Sequence, residues 1–252
     1  MSEMRLVPSL LSLLAILFCL CPAAAQSSSD RGRLLDEIES LQKQGIADKK
    51  QLADLFNKED QFLSPAREDS ARFAVFLQQP DTGLIMLNPR GLYDKTLTIR
   101  GGGAYYSFLR LTHEYGYGSD IELQNNSFSV GFAGADWGFM TALPDTPIES
   151  VTLETAGVRF PARFNAPRFE PDAREWYRAS GRGFNRDGFD YKRMLPAAVD
   201  TSYILRSISY NGGDVLVVFR PVRKDADGSM TILWKILKRF PARRLGPPVR
   251  PL

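Results

Sequence analysis

The chain has 252 residues, with 32 Lys and Arg against 29 Asp and Glu, one histidine and two cysteines. Both cysteines, Cys19 and Cys21, fall in the apolar leader, which excludes thiol catalysis, thiolate metal sites and a disulfide framework from the remainder. Five positive charges (Lys238, Arg239, Arg243, Arg244 and Arg250) crowd the end, so the net charge of +3 belongs to a basic tail rather than to a nucleic-acid-binding face, and no nucleic acid is expected as a partner.

The leader itself has a short n-region with Arg5, a nearly unbroken apolar run over 10–20, and Ala23-Ala24-Ala25 before Gln26. That layout reads as a secretory signal peptide over 1–25, with an apolar run too short for a comfortable bilayer span. Phe18 and Leu20 precede the two cysteines where a lipoprotein anchor needs a small residue, so cleavage to a soluble form is expected. The address is export, to the periplasm or beyond the cell, with no transmembrane span after cleavage. The chain beyond the leader is long enough to bury about 70% of its unfolded surface without covalent help.

Leu34, Leu35, Ile38 and Leu41 recur at helical spacing before Gly45, and Asp48 with Gln51 resembles a capping box ahead of Leu52, Leu55 and Phe56. A helical hairpin is expected within 26–58. From about Arg72 the pattern alternates: residues 73–77 and 84–87 flank Pro80-Asp81-Thr82-Gly83, a hairpin turn, and strand-like runs follow at 96–100, 104–113, 120–123, 128–132 and 151–160. Glycines at 101–103, 116, 118, 131, 134 and 138 punctuate them, marking turns, bulges and close backbone approach.

Between 159 and 198 the pattern is irregular. Arginines interleave with aromatics, a short helix is expected at 172–179, and the rest reads as a long loop, functional or packed by its own side chains. Residues 203–210, 215–220 and 230–237 then read as three strands joined by Asn211-Gly212-Gly213-Asp214 and by 224–228. In the last, Met230, Ile232, Trp234 and Ile236 share one strongly buried face. The stretch 241–252, rich in proline and arginine, reads as a disordered tail. The fold class expected is α+β: the N-terminal helical hairpin, then a mainly antiparallel sheet over 59–240 ending in a three-stranded meander.

The segments Gly101-Gly102-Gly103-Ala104-Tyr105-Tyr106-Ser107-Phe108, Thr112-His113-Glu114-Tyr115, Gly118-Ser119-Asp120-Ile121 and 131–139, with the Asp225-Ala226-Asp227-Gly228 hairpin, resemble a group of uncharacterised exported bacterial proteins over about 70–240. The resemblance implies a bacterial, exported setting and brings no activity, ligand or catalytic residue.

His113, with Glu114, Asp120, Glu122 and Asp136 near it in sequence, is the candidate acid–base or metal cluster. On an unbroken strand His113 and Glu114 point to opposite faces, which favours a core histidine. Asp120, Glu122 and Asp136 are oxygen donors suited to calcium, and Asp120 and Glu122 would share a strand face. A solvated face is the commoner meaning of that pattern, so no cofactor is expected and calcium is the ion to test. Asp225-Ala226-Asp227-Gly228 lacks the later acidic ligand of a calcium loop and reads as a hairpin turn. Gly101-Gly102-Gly103 precedes a β-prone run rather than a helix N-terminus, against a phosphate cradle. No G-x-S-x-G occurs. Asn125-Asn126-Ser127 fits a glycosylation acceptor and marks a surface turn.

Arg168, Trp176, Tyr177, Arg178 and Tyr191 are the candidate ligand-binding residues, able to pair with anions and stack on sugars. The competing account is that the aromatics pin a loop to the sheet under a cover of arginines. The function expected is a non-catalytic binding or interaction module of the bacterial envelope, its partner an envelope protein or a glycan. The alternative is a carboxylate-dependent hydrolase acting on a glycan or other envelope polymer. A third reading is a stable module whose partner docks on a sheet edge.

Overall fold

The computed structural model describes residues 63–92, 102–113, 118–131, 136–210 and 212–246, with scattered positions between 40 and 53. The leader and most of the expected helical hairpin lie outside the described residues, as do the strand expected at 96–100 and Glu114. The scattered positions are helical and include Gly45, where the sequence pattern would end a helix.

From Leu63 onward the chain forms a mixed fold dominated by antiparallel sheet, with few helices. The strands are β1 (Thr82–Leu87), β2 (Tyr105–Tyr106), β3 (Ile121–Gln124), β4 (Ser127–Ser129), β5 (Asp136–Leu143), β6 (Phe184–Arg186), β7 (Phe189–Tyr191), β8 (Met194–Pro196), β9 (Ser202–Ser209), β10 (Gly213–Lys224) and β11 (Met230–Phe240). A five-stranded sheet runs β1-β11-β10-β9-β5, a four-stranded sheet runs β2-β3-β4-β8, and β6 and β7 form a separate hairpin. The helices are α1 (Arg67–Arg72), α2 (Ala74–Leu77), α3 (Arg159–Arg163) and α4 (Glu170–Arg182). None of the described helices is long and apolar enough to cross a membrane.

The three-stranded meander is β9-β10-β11, and it forms the middle of the larger sheet. Alternation sorts its side chains between two interiors. Tyr203, Leu205, Val215, Val217, Phe219, Ile232 and Trp234 face the smaller sheet, meeting Phe108, Ile121, Leu123 and Phe128. Ile204, Leu216, Val218 and Leu233 face the other way, onto Phe76, Ile148, Val151 and Val158. The single buried face expected is thus a sheet buried on both sides, and every residue of β9 is buried. Each fully buried apolar side chain contributes about 1.5–3 kcal/mol to folding.

Several expectations need correction. Residues 74–77 are helical rather than a strand. Phe73, Phe76 and Leu77 pack on the sheet at helical spacing, while Val75 is 80% exposed. Residues 151–160 hold turns and the start of α3, since Thr152 and Thr155 bond one another and neighbouring backbone. The run 104–113 is a strand only at β2; Ser107 and Thr112 then close a turn. The expected helix at 172–179 is longer, as α4. Pro171 and acidic Glu170 and Asp172 start it, Arg182 lies in its last turn, and Gly183 leaves it at φ +87°. The tail is not disordered over 241–246: the Gly246 N–H donates to the Arg168 carbonyl at 2.7 Å, and Leu245 packs on the core.

Candidate functional site

The sequence-named residues fall in different surroundings. His113 is buried, with Nε2 at 2.8 Å from the Met86 carbonyl and its ring edge-on to Tyr106 at 5.2 Å. A ring N–H donating there ties the turn after β2 to β1. Asp120 precedes β3 and is buried; its carboxylate accepts from the Phe108 N–H at 2.7 Å, Ser207 Oγ at 2.7 Å and Ser107 Oγ at 3.3 Å. Burial pushes it up to about 6, against the pull of those bonds. Asp136 opens β5 opposite Ser209 and accepts from the Gly118 N–H at 3.3 Å; burial raises it too.

Glu122 lies elsewhere, bonded to Ser129 and Arg90. Asp120 and Glu122 therefore do not share the partners that a common strand face suggested, because β3 begins only after Asp120. Among the described residues no three histidine, aspartate or glutamate side chains gather as a metal site.

The arginine–aromatic candidates also divide. Tyr191 is fully buried and donates its hydroxyl to the Gly157 carbonyl at 2.9 Å. Trp176 stacks on Trp137 at 6.4 Å and meets Phe164 edge-on at 4.8 Å, so Tyr191 is core and Trp176 packs half-buried against it. Arg178 lies on the outer face of α4, beside Arg174 and Arg182. Arg168 lines a separate cavity near the C-terminal segment. Tyr177 lines a third site.

That site is a cleft of about 270 Å³ on the outer face of the smaller sheet. Its floor is one cross-strand row: Tyr105 pairs with Glu122, Glu122 with Ser129, and Ser129 with Met194. Alternation sends the intervening Ile121, Leu123 and Phe128 into the core and turns this row outward. Glu122 is nonetheless only 4% exposed, because the Arg90 guanidinium donates to Oε1 at 3.2 Å and Ser129 Oγ donates to Oε2 at 2.7 Å. Both oxygens of the desolvated carboxylate are thereby satisfied. Arg90 itself is half exposed.

The opposite wall is Arg193, whose guanidinium lies 4.7 Å from the Tyr177 ring centre. Backbone bonds hold it: the Arg193 N–H donates to the Ser180 carbonyl of α4 at 2.7 Å, and its own carbonyl accepts from Val130 at 3.1 Å. Arg193 has no carboxylate within ion-pair distance among the described residues. The cleft thus joins hydrogen-bond donors, two tyrosines and one acceptor-only carboxylate. Sequence reasoning named Glu122 and Tyr177 but missed Arg90, Tyr105, Ser129 and Arg193.

It also missed a buried ion pair. Arg206 of β9 and Asp214 of β10 are 1% and 2% exposed, joined through Nε at 2.5 Å and Nη2 at 2.8 Å. Arg206 Nη1 also donates to the Pro161 carbonyl at 2.6 Å, and its guanidinium lies 3.2 Å from the Phe240 ring centre. Burial pushes the Asp214 carboxyl up and Arg206 opposes it. An arginine in the middle of an apolar strand, eight residues before an aspartate across a hairpin, was the available signal.

Comparison with protein families, with curated proteins and with solved structures found no match.

Proposed function

We propose that this is an exported, non-catalytic binding module of the bacterial envelope, and that the Glu122 cleft takes an acidic glycan. The reading includes an α+β fold with an N-terminal helical hairpin, and the signal-like leader supports its exported setting. The observation that carries it is that one open cleft draws its walls from both segments the sequence singles out: Tyr105, Glu122 and Ser129 from the glycine-rich strands, Tyr177 and Arg193 from the arginine–aromatic stretch. Arg193, placed against a tyrosine and lacking a carboxylate among the described residues, suits a sugar carboxylate. Arg90, half exposed beside Glu122, can donate to sugar hydroxyls. Glu122 is the single carboxylate lining the cleft among the described residues, whereas glycoside hydrolysis ordinarily uses two flanking the scissile bond.

The test is affinity of the purified protein for a panel of neutral and uronic-acid oligosaccharides, with product analysis of each mixture. Saturable binding of acidic members, weakened about tenfold or more by Arg193→Ala and by Tyr177→Ala, is expected, with no new reducing ends. Failure of every glycan to bind overturns the reading. Cleavage that Glu122→Gln abolishes replaces it with the hydrolase.

A further inference from the structure

A second cavity, of about 330 Å³, opens where β9, β10 and the end of β11 meet the segment before α4. Its lining includes Arg206 and Asp214, the buried pair described above, with Phe240 over the Arg206 guanidinium. Arg168, Arg243 and Arg244 also line it. The Arg206–Asp214 pair is internally neutral. The other three guanidiniums have no carboxylate within ion-pair distance among the described residues, and Arg243 makes only one long bond, 3.4 Å, to the Asn165 side-chain oxygen. Several other arginines are paired, Arg159 and Arg163 with Glu154, Arg174 with Glu170, Arg220 with Asp200 and Arg239 with Asp81, and those left without a carboxylate among the described residues include Arg178, Arg182 and Arg193.

Nor is the convergence a matter of loose tails. The Gly246 N–H to Arg168 carbonyl bond at 2.7 Å and the parallel bridge of Phe169 with Gly246 bring the chain carrying Arg243 and Arg244 back beside Arg168. Three guanidiniums on one cavity give it a positive lining, beyond the internally neutral Arg206–Asp214 pair, that an anion would complement. Guanidinium forks match phosphate oxygens in pairs, and three forks exceed what the two oxygens of one carboxylate can engage.

We infer that the cavity bounded by Arg168, Arg243 and Arg244 is a binding site for a phosphoryl group carried by a small ligand. It shares no lining residue with the Glu122 cleft and holds whether or not that cleft binds a glycan. The recessed shape favours a soluble phosphorylated molecule over a flat lipid surface.

The experiment is calorimetric titration with inorganic pyrophosphate at constant ionic strength, paired with sedimentation on phosphatidylglycerol vesicles. One-site saturable binding of pyrophosphate is expected, weakened about tenfold or more by Arg168→Gln or Arg243→Gln and within about twofold of wild type in Arg178→Gln and Arg182→Gln. Each variant is first confirmed folded by its melting curve. Vesicle binding that pyrophosphate competes away, and that the same two variants lose, would keep the phosphoryl site and move its source to a lipid headgroup. Absence of saturable pyrophosphate binding, or an equal loss in all four variants, overturns the proposal, the latter because it reports a diffuse positive field.

Discussion

Asp120 carries a carboxylate that the fold has moved out of water and surrounded with donors from Ser107, Ser207 and the Phe108 backbone. Desolvation outweighs those bonds and raises it from 3.8 to about 6. Between those two values the folded chain binds the proton more tightly than the unfolded chain, so Asp120's contribution to stability is complete below about pH 4 and lost as pH rises through about 6. Taken alone, the loss is roughly 3 kcal/mol, since each tenfold change in proton affinity is worth about 1.4 kcal/mol. Asp120→Asn keeps the shape and abolishes the titration. In urea melts, wild type is expected to lose stability relative to Asp120→Asn as pH is raised from about 4 to 6.5. A difference between the two that stays constant with pH would contradict this. The sequence named Asp120 as a candidate but not its surroundings, because Ser207 lies 87 residues away and meets it only through sheet packing.

At the scale of single elements, β5 owes its position to Gly138. A Cβ there would stand 2.3 Å from the Arg206 carbonyl oxygen of β9 and 2.6 Å from Val130 Cγ2, so β5 reaches its neighbours only because that carbon is missing. Gly138→Ala is expected to cost about 1–3 kcal/mol in chemical denaturation. Gly181, inside α4 with nothing within 4 Å of its missing Cβ, should behave oppositely: Gly181→Ala is expected to gain about 0.5–1 kcal/mol. If the two substitutions shift the midpoint alike, the close approach at β5 is not what Gly138 serves. This strand was also the hardest to read. Its glycine interrupted the apparent strand pattern, while β9, β10 and β11 were legible from unbroken alternation. The run 73–77 misled for a complementary reason: a short apolar stretch carries no clear period, and its helical form emerges only from which residues the sheet covers.

At the largest scale, the first described strand pairs with the last. Thr82 to Leu87 of β1 lie opposite Lys235 to Met230 of β11, so one edge of the larger sheet is built by contacts between distant parts of the described chain. Contacts of such sequence separation slow folding, and refolding followed by tryptophan fluorescence is expected on milliseconds or longer. Completion within microseconds would mean that local structure, not this pairing, limits the search. The same long-range register explains why the Glu122 cleft was only half visible in the sequence. Glu122 and Tyr177 stood out as residue types, but the row Tyr105–Glu122–Ser129–Met194 exists only once four strands are in register. The Arg168 cavity likewise depends on the backbone bond that brings 246 back to 168.

The pairing of β1 with β11 has a further effect. A chain cut between Lys224 and Met230 leaves β1 without its partner and turns β10, with its Val215, Val217 and Phe219, into a bare edge. Such fragments expose an apolar strand ready to be cleaved or to join another chain. The fold therefore acts as its own test of completeness: its protection from proteases and from aggregation arrives only with the final strand.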